Sequence, residues 1–443
     1  MLQTFKNAWK VQELRKKILF TLMIILLYRI GATLYVPFVN VDLLHAMSDI
    51  TTGNIFQFLN TLSGNAFKNG TFFALSVSPY ITASIVMQLL TIAIPALEKL
   101  SKQGEEGKKK IAAYTRLVTV ILALLTSYGY VTLLNSRGAL VVSDTENFYY
   151  FQLAVMMACL CAGASLVMWL AEKINDHGIG NGISIILFAN IISDASSQFE
   201  SMKSMIMTTS TQFMTGWPLV FGIAKIVLSL ALAILAVGLI VWFTNSERRI
   251  PIQYAKRVVG RKMYGGQSSN LPLKMNMAGV MPVIFASSIV SLPATIASFI
   301  PNTGFGKFIN NYFSYTSVAY IALFLILIFA FSYFYIMISF NPVEVANNIK
   351  GNGGSIPGIR PGKSTSDYIK KVLNRITLVG AVFLGVIAGV PMIANAIFTA
   401  FNVNFTTLAF TGTSLLIVVG VALETVRELE AQLSMRNYKG FLD

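Results

Sequence analysis

The sequence predicts an all-α polytopic membrane protein with ten transmembrane helices, and three observations predict it. Hydrophobic residues make up 55% of the chain and charged residues 12%, whereas soluble domains carry about 25% charged residues. Ten apolar stretches approach the length of about 20 residues that one bilayer crossing needs. The loops between them alternate between strongly basic and nearly uncharged. The predicted crossings are 18–36, 72–94, 113–134, 151–171, 182–199, 217–243, 276–300, 317–340, 376–397 and 405–425.

The distribution of Lys and Arg predicts which side each loop faces. The two tails and every second loop hold 27 of the 34 Lys and Arg residues, and the richest loops are 245–274 and 341–375. The five intervening loops hold only four. Basic loops stay in the cytoplasm because Lys and Arg resist translocation, so both termini are expected there. The first apolar run is longer than a signal-peptide core and should remain as an anchor.

The fifth and tenth crossings are the weakest. The apolar stretch of the fifth, Ile183 to Ile192, is short, but without it loop 245–274 would face outward. The tenth rests on hydropathy alone. Five crossings precede residue 200 and five follow it, and an odd number in each half predicts two inverted halves around a central pathway. The expected divisions are an N-terminal half (1–200), a C-terminal half (201–425) and a cytoplasmic tail (426–443).

The segment 37–71 is too long for a turn and too polar to cross a membrane. Within it, an amphipathic run over residues 55–67 is interrupted at Ser63-Gly64-Asn65. The run fits either a half-helix that dips back into the protein or an interfacial helix on the outer surface. The second and seventh crossings carry prolines and small hydroxyl residues, which fit a movable seam or ordinary close packing of helices.

Catalytic chemistry is not expected. The sequence shows no nucleophile–base group, and its two cysteines, Cys159 and Cys161, are expected to be buried apolar residues. His45 and His177 lie in loops on opposite sides, so no cofactor or metal is predicted. The crossings are expected to lack acidic side chains, which argues against an ion-coupled solute transporter. The basic loops fit the positive-inside rule alone, or a large acidic or RNA-bearing cytoplasmic partner.

Eight sequence strings, spread in order over the chain, resemble the SecY family, the channel subunits of the bacterial protein-translocation machinery. They are PYITASIVMQLL (79–90), GEEGKKKIAAYTR (104–116), GIGNGISI (178–185), YAKR (254–257), QSSNLPLKMNMAGVMPVIFASS (267–288), NPVEVANN (341–348), PGIRPG (357–362) and GTSLLIVV (412–419). The resemblance implies an hourglass of ten helices whose halves clamp around a pore, closed at its waist by apolar side chains.

The resemblance also implies roles for individual residues. The pore ring should comprise Ile81, Ile85, Ile183, Leu187, Met281 and Ile417, and the spacings 81/85 and 183/187 place each pair on one helix face. The segment of about 55–67 should be a plug, with Ile55, Phe56, Phe58, Leu59 and Leu62 in it. A lateral gate should open between the second and seventh helices, with Gln88 and Asn276 as polar contacts. Docking to a motor or a ribosome should use Arg248, Arg249, Lys256, Arg257, Arg261, Lys262 and, above all, Arg360.

The implied function is a channel in the bacterial plasma membrane that conducts unfolded secretory polypeptides and releases transmembrane segments sideways into lipid. The implied partners are the small subunits SecE and SecG, the SecA motor ATPase, the ribosome, signal sequences and unfolded preproteins, and membrane lipids. Two other classes remain open from the residues alone. One is a secondary transporter of a small solute, and the other is a membrane scaffold or lipid-handling protein without a pore.

Overall fold

The computed structural model describes residues 2–40, 44, 56–136, 138–140, 146–204, 207–209, 212–213, 217–254, 257–259, 262–264, 268–299, 303–304, 306, 308–309, 317–400 and 412–439. The helices are α1 (Leu2–Lys10), α2 (Gln12–Gly31), α3 (Phe56–Ser63), α4 (Ser78–Ala93), α5 (Pro95–Ser101), α6 (Glu105–Ser136), α7 (Glu146–His177), α8 (Gly182–Ser204), α9 (Trp217–Asn245), α10 (Met281–Phe299), α11 (Val318–Ser339), α12 (Pro342–Gly351), α13 (Lys363–Ala400) and α14 (Gly412–Lys439). The strands are β1 (Met207–Thr209), β2 (Gln212–Phe213), β3 (Glu247–Tyr254), β4 (Arg257–Val259), β5 (Lys262–Tyr264), β6 (Ser268–Lys274) and β7 (Gly354–Ser355).

Each predicted crossing coincides with a helix: α2, α4, α6 to α11, α13 and α14. By length and composition alone, five of the described helices can cross a membrane, and a sixth can if α4 and α5, bent by 105°, count as one span. Helices α6 and α7 extend well beyond the predicted crossings, because their polar flanks continue the helix past the apolar window. The first part of the predicted tenth crossing, 405–411, lies outside the described residues.

The helices pack in a closed circuit. Helix α4 contacts α10, and the circuit continues through α11, α13, α14, α8, α7 and α6 back to α4. Helix α9 packs on α14, and the short helix α3 packs on α8. The circuit passes between the first 200 residues and the rest of the chain at two places. On one side α4 and α6 contact α10, and on the other side α8 contacts α14.

The core lies within this circuit, and the outer surface is apolar. One large cluster of buried side chains draws on α2, α4, α7, α8, α10, α11, α13 and α14. Large apolar side chains such as Val227, Ile234 and Trp242 on α9 are exposed on the outside. An exposed apolar surface of this extent suits lipid rather than water. Helices with apolar residues on all sides are typical of membrane spans.

The two long basic loops fold together into one body, here called the loop layer: β3, β6, α12, β7 and the beginning of α13. Strand β3 pairs with β6 on one side and with β7 on the other, which gives the order β6-β3-β7. In β3, Ile250 and Ile252 are buried while Arg249, Pro251 and Gln253 are exposed, as the alternation of a strand requires. The buried isoleucines pack against α12 and α13. Sequence patterning predicted these segments only as loops.

Candidate channel and docking site

The six predicted ring residues belong to one contiguous apolar cluster. Ile81 and Ile85 of α4, Leu187 of α8 and Ile417 of α14 are buried in it, and Ile183 and Met281 are half-buried against it. The four helices that carry them are far apart along the chain. This large cluster draws on many other residues, so the closed ring itself stays a prediction.

The predicted plug segment contains the helix α3, which is shorter than the run 55–67. The helix ends at Ser63 because Gly64 and Asn65 both have left-handed backbones, with φ of 60° and 71°. The Asn65 amide donates to the Asn60 carbonyl at 3.1 Å and the Gly64 amide to the Thr61 carbonyl at 3.2 Å. This pair of bonds is the Schellman arrangement that ends many helices.

The side chains of α3 meet two clusters. Leu62 is buried in the cluster that holds the ring residues, and Leu59 is half-buried against a second cluster around Phe67 and Tyr130. This packing favours the first of the two alternatives for 55–67, a half-helix that dips back into the protein, and the role of a plug stays a prediction. Ile55 lies outside the described residues, as do the side chains of Phe56 and Phe58.

A buried polar group, here called the plug clasp, surrounds the Leu62 carbonyl at the end of α3. The Nδ2 atom of Asn190 on α8 lies 2.6 Å from this carbonyl oxygen, 2.9 Å from the Tyr28 hydroxyl and 3.1 Å from the Ser76 hydroxyl. The Ser76 hydroxyl also donates to the Leu62 carbonyl at 3.3 Å, and it lies 3.2 Å from the Tyr28 hydroxyl. Tyr28, Ser76 and Asn190 are buried.

Arg29 lies beside the clasp and faces the interior of the bundle rather than the outer headgroups. Its Nη2 atom donates to the Ala189 carbonyl at 2.7 Å. A methyl group added at Gly64 would meet Nη2 of Arg29 at 2.8 Å. The guanidinium is therefore close to the C-terminal end of α3, where a positive charge is favourable because the helix dipole ends in unpaired carbonyls.

The predicted lateral gate falls on two helices in contact, α4 and α10. Gln88 is half-buried on α4, and its Nε2 donates to the Ser84 hydroxyl of the same helix at 3.2 Å. Asn276 is half-buried just before α10. On α10 the Ser287 and Ser288 hydroxyls both donate to the Ile284 carbonyl at 2.8 Å. These hydroxyl groups are satisfied within their helix, so they allow close contact between helices, and the role of Gln88 and Asn276 stays a prediction.

Three of the predicted docking residues, Arg248, Arg249 and Arg360, lie on the loop layer. Arg248 and Arg249 are exposed on β3, and Arg249 forms an ion pair with Glu247 at 2.6 Å. Arg360 is exposed in the turn between β7 and α13. Its carbonyl accepts a bond from the Thr365 hydroxyl at 3.0 Å, and it stands between Gly358 and Gly362, both with positive φ. The backbone of this turn is therefore fixed around Arg360, and the side chain of Arg360 is exposed to solvent.

Two more of the predicted docking residues lie on the strands between β3 and β6. Arg257 is on β4 and Lys262 on β5, which pair with each other, and the positions of their side chains are outside the description. Lys256 and Arg261 lie outside the described residues. Near the base of the layer, burial first and then the charge of Arg427 lower the pKa of Lys274.

The expectation that the crossings lack acidic side chains is wrong. Asp194 is buried within α8, where the Thr61 hydroxyl of α3 donates to its Oδ2 at 3.4 Å, and Glu424 lies within α14. Both residues lie inside predicted crossings, 182–199 and 405–425, and α8 continues past its short apolar stretch to Ser204. The absence of acidic groups therefore no longer counts against a transporter.

Sequence reasoning missed the clasp. Asn190 interrupts the apolar stretch of the fifth crossing, and a polar side chain in such a stretch often bonds to another helix. That signal was available, but its partners were not. The Tyr28, Ser76 and Leu62 positions precede it by 162, 114 and 128 residues.

Comparison with known proteins agrees with this geometry. A family model, SecY, matches residues 71–426. Curated relatives named "Protein translocase subunit SecY" are 46% identical in Streptomyces coelicolor and 42% identical in Mycobacterium tuberculosis, and each match covers the whole of both chains.

Solved structures share the fold. A structure described as "The structure of a protein conducting channel" matches with a TM-score of 0.66 at 18% identity, covering 94% of this chain and 92% of that one. Sec61 in the canine ribosome-channel complex matches with a TM-score of 0.62 at 17% identity and the same coverage.

The class is therefore a multi-spanning membrane protein with the ten-helix fold of the protein-conducting channels. Within that class the chain belongs to the SecY family.

Proposed function

We propose that this chain is a protein-conducting channel, which translocates unfolded secretory polypeptides across the plasma membrane and releases transmembrane segments sideways into it. One observation carries the proposal. Six ring residues from four helices share a single apolar cluster with Leu62 of the plug helix. Because the chain belongs to the SecY family, we interpret this cluster as the closed constriction of a channel.

The ring closes the passage with apolar contacts, which are non-directional and can be displaced by a polypeptide of any sequence. Apolar side chains at a constriction exclude water, and ions do not pass a dewetted pore. Branched groups and the flexible Met281 can separate around an extended chain and still surround it. The plug helix, within 55–67, lies against this ring in the closed state.

Lateral release uses the contact between α4 and α10. An apolar helix inside the passage gains free energy by moving into lipid, because each apolar residue prefers hydrocarbon to water. The prolines of α4 and α10 and the hydroxyl groups on α10 provide a seam that can separate, with Gln88 and Asn276 at its edges.

The chain supplies the passage, and its partners supply the driving force. The loop layer presents its exposed arginines to the SecA motor or to the ribosome, both of which offer acidic or phosphate surfaces. Related channels were solved in ribosome complexes, one canine and one from yeast. SecE and SecG are the companion subunits, signal sequences and unfolded preproteins are the substrates, and no cofactor is required.

The orientation follows from the charges. The loop layer and both termini face the cytoplasm, and the halves 1–200 and 201–425 are inverted relative to each other around the passage, with 426–443 as a cytoplasmic tail. Transport of a small solute is not favoured, because the core around the ring is apolar. Solute uptake by the purified chain in vesicles, without partner subunits, would favour it.

The docking role is tested by Arg360→Glu. A like charge placed against an acidic partner surface opposes binding, so motor-driven secretion into membrane vesicles should fall by about tenfold or more. Assembly with the small subunits, measured by co-purification, should be unchanged because Arg360 is exposed.

The matched control is Lys350→Glu, the same change of charge at another exposed position of the loop layer. It should reduce secretion much less. Normal secretion by Arg360→Glu would contradict the docking role, and equal loss in both variants would show that total charge, not this position, matters.

A further inference from the structure

Three polar side chains from different segments form one hydrogen-bonded group at a backbone carbonyl of the plug helix. Asn190 is on α8, Tyr28 is on α2, and Ser76 precedes α4. Asn190 and Ser76 donate to the Leu62 carbonyl, and the Tyr28 hydroxyl is hydrogen-bonded to both of these side chains. Burying a polar group in apolar surroundings costs free energy unless it is hydrogen-bonded, so most such groups have partners.

The choice of carbonyl has a local cause. The Schellman bonds at the end of α3 satisfy the carbonyls of Asn60 and Thr61. The Leu62 carbonyl is one of the four that a helix end leaves unpaired. Asn190 and Ser76 of the clasp donate to it instead. This acceptor is therefore satisfied by side chains from outside the helix.

The clasp is on the same helix face as half of the ring. Asn190 follows Leu187 by three residues and Ile183 by seven, and such positions share one face of a helix. Asn190 is therefore about 4.5 Å along the axis from Leu187. A movement of α8 that withdraws its two ring residues also withdraws the donor from the Leu62 carbonyl.

The hydrogen bonds of the Asn190 side chain are made by its amide nitrogen. Its Oδ1 atom is buried and has no hydrogen-bond partner among the described residues, which costs free energy. An apolar residue of the same size would avoid that cost, so the bonds from Nδ2 are the feature that the position provides.

We propose that Tyr28, Ser76 and Asn190 are positioning residues that lock the plug in the closed state, and that widening of the ring releases it. The lock rests on the proposed function, because it requires α3 to be the plug. It determines how readily the closed channel opens, and it leaves the conductance of the open channel unchanged.

The test measures ion leakage through the resting channel. The full chain, co-purified with its companion subunits, is reconstituted into phospholipid vesicles that contain a halide-sensitive dye. Halide influx is recorded at rest and after addition of a synthetic signal peptide. Asn190→Leu removes both donor hydrogens and should raise resting influx about tenfold. Influx after the peptide should equal that of the wild type.

Ser76→Ala removes one hydroxyl group from the clasp and should raise resting influx by about threefold. If Asn190→Leu fails to assemble, Ser76→Ala by itself tests whether the clasp limits resting influx. The two changes together should raise the leak by less than the product of the single effects, because they break one network. Ser332→Ala is the control, since this buried hydroxyl donates to Ile328 of its own helix, and it should change neither influx.

Wild-type resting influx in both clasp variants, with normal opening by the peptide, would overturn the lock and leave the proposed function intact. A wild-type channel that the peptide does not open would overturn the proposed function, and the lock with it.

Discussion

The ring and the clasp lie next to each other on α8 but are built from opposite chemistries. The ring consists of apolar side chains whose attraction does not depend on direction. The clasp consists of hydrogen bonds that require their atoms within narrow distances and angles. One face of α8 carries both, Ile183 and Leu187 for the ring and Asn190 for the clasp.

The difference separates two tasks of a closed channel. An apolar ring can close again around any segment of polypeptide, so it suits a passage with many substrates. It gives little preference for one closed geometry. The hydrogen bonds of the clasp are lost together when its atoms separate. The clasp therefore suits a plug that switches between two states, closed and released. The following changes, from the largest expected effect to the smallest, test this division.

The largest effect should come from the ring itself. Ile81→Gly combined with Ile417→Gly removes two buried side chains and opens the constriction to water. Resting halide influx should rise by well over tenfold, about the level of the wild type opened by a signal peptide. Each change should also cost about 3–5 kcal/mol of stability through the cavity it leaves.

The control for the ring is Leu14→Gly combined with Leu429→Gly. These residues are equally buried in a separate cluster between α2 and α14. They should lower stability to a similar extent without raising influx. A scaffold protein without a pore would show no leak from either pair, which would contradict the channel.

A smaller effect should come from Gly64→Ala at the seat of the plug. A Cβ atom there would lie 2.8 Å from Nη2 of Arg29 and 3.0 Å from the Asn190 Cα. The Arg29 side chain can turn aside, but the Asn190 backbone cannot, so we expect the end of α3 to shift slightly away from the clasp. Resting influx should rise severalfold, by about five times if the displacement costs one hydrogen bond.

Gly138→Ala is the matched control for this position. Gly138 has a similar left-handed backbone, with φ of 68° against 60° for Gly64, but nothing lies within 4 Å of its added Cβ. Both variants bear the cost of about 1 kcal/mol for that backbone, so only the steric contact differs. A leak of equal size in both would remove the argument from packing against the clasp.

The smallest effect should come from Tyr28→Phe, which removes one hydroxyl group from the clasp and leaves the ring unchanged. Resting influx should rise about twofold to threefold, because Asn190 and Ser76 still reach the Leu62 carbonyl. Tyr130→Phe is the comparison, since the Tyr130 hydroxyl donates to the Phe67 carbonyl at 2.6 Å, just beyond the plug helix.

Thermal unfolding should show a similar loss of stability for both tyrosine variants, and only Tyr28→Phe should leak. Equal leaks from the two tyrosine variants would show that the ring is not the only contrast to the clasp. They would mean that residues 56–70 move as one unit and that the lock extends beyond the clasp.

Much of the fold was predictable, because each crossing depends on the transfer of its own side chains into lipid. The approximate positions of all ten helices follow from that. The break at Ser63-Gly64-Asn65 was predictable for a different reason, because Gly and Asn readily adopt the left-handed backbone that ends a helix. The ring residues were predictable only through resemblance. The prediction of crossings without acidic residues failed at Asp194 and Glu424, although both lie inside the predicted spans 182–199 and 405–425. What the sequence could not show is that the Thr61 hydroxyl donates to Asp194.

The sequence by itself determined which segments are long and apolar enough to enter a membrane, since that property is local and adds up residue by residue. Only the tertiary structure decided that Asn190 of α8 and Ser76 would reach the Leu62 carbonyl. It also decided that Gln253 of one basic loop would pair with Ser355 of the other. Hydrogen bonds act over about 3 Å, so residues more than a hundred positions apart can form them only after the helices have packed.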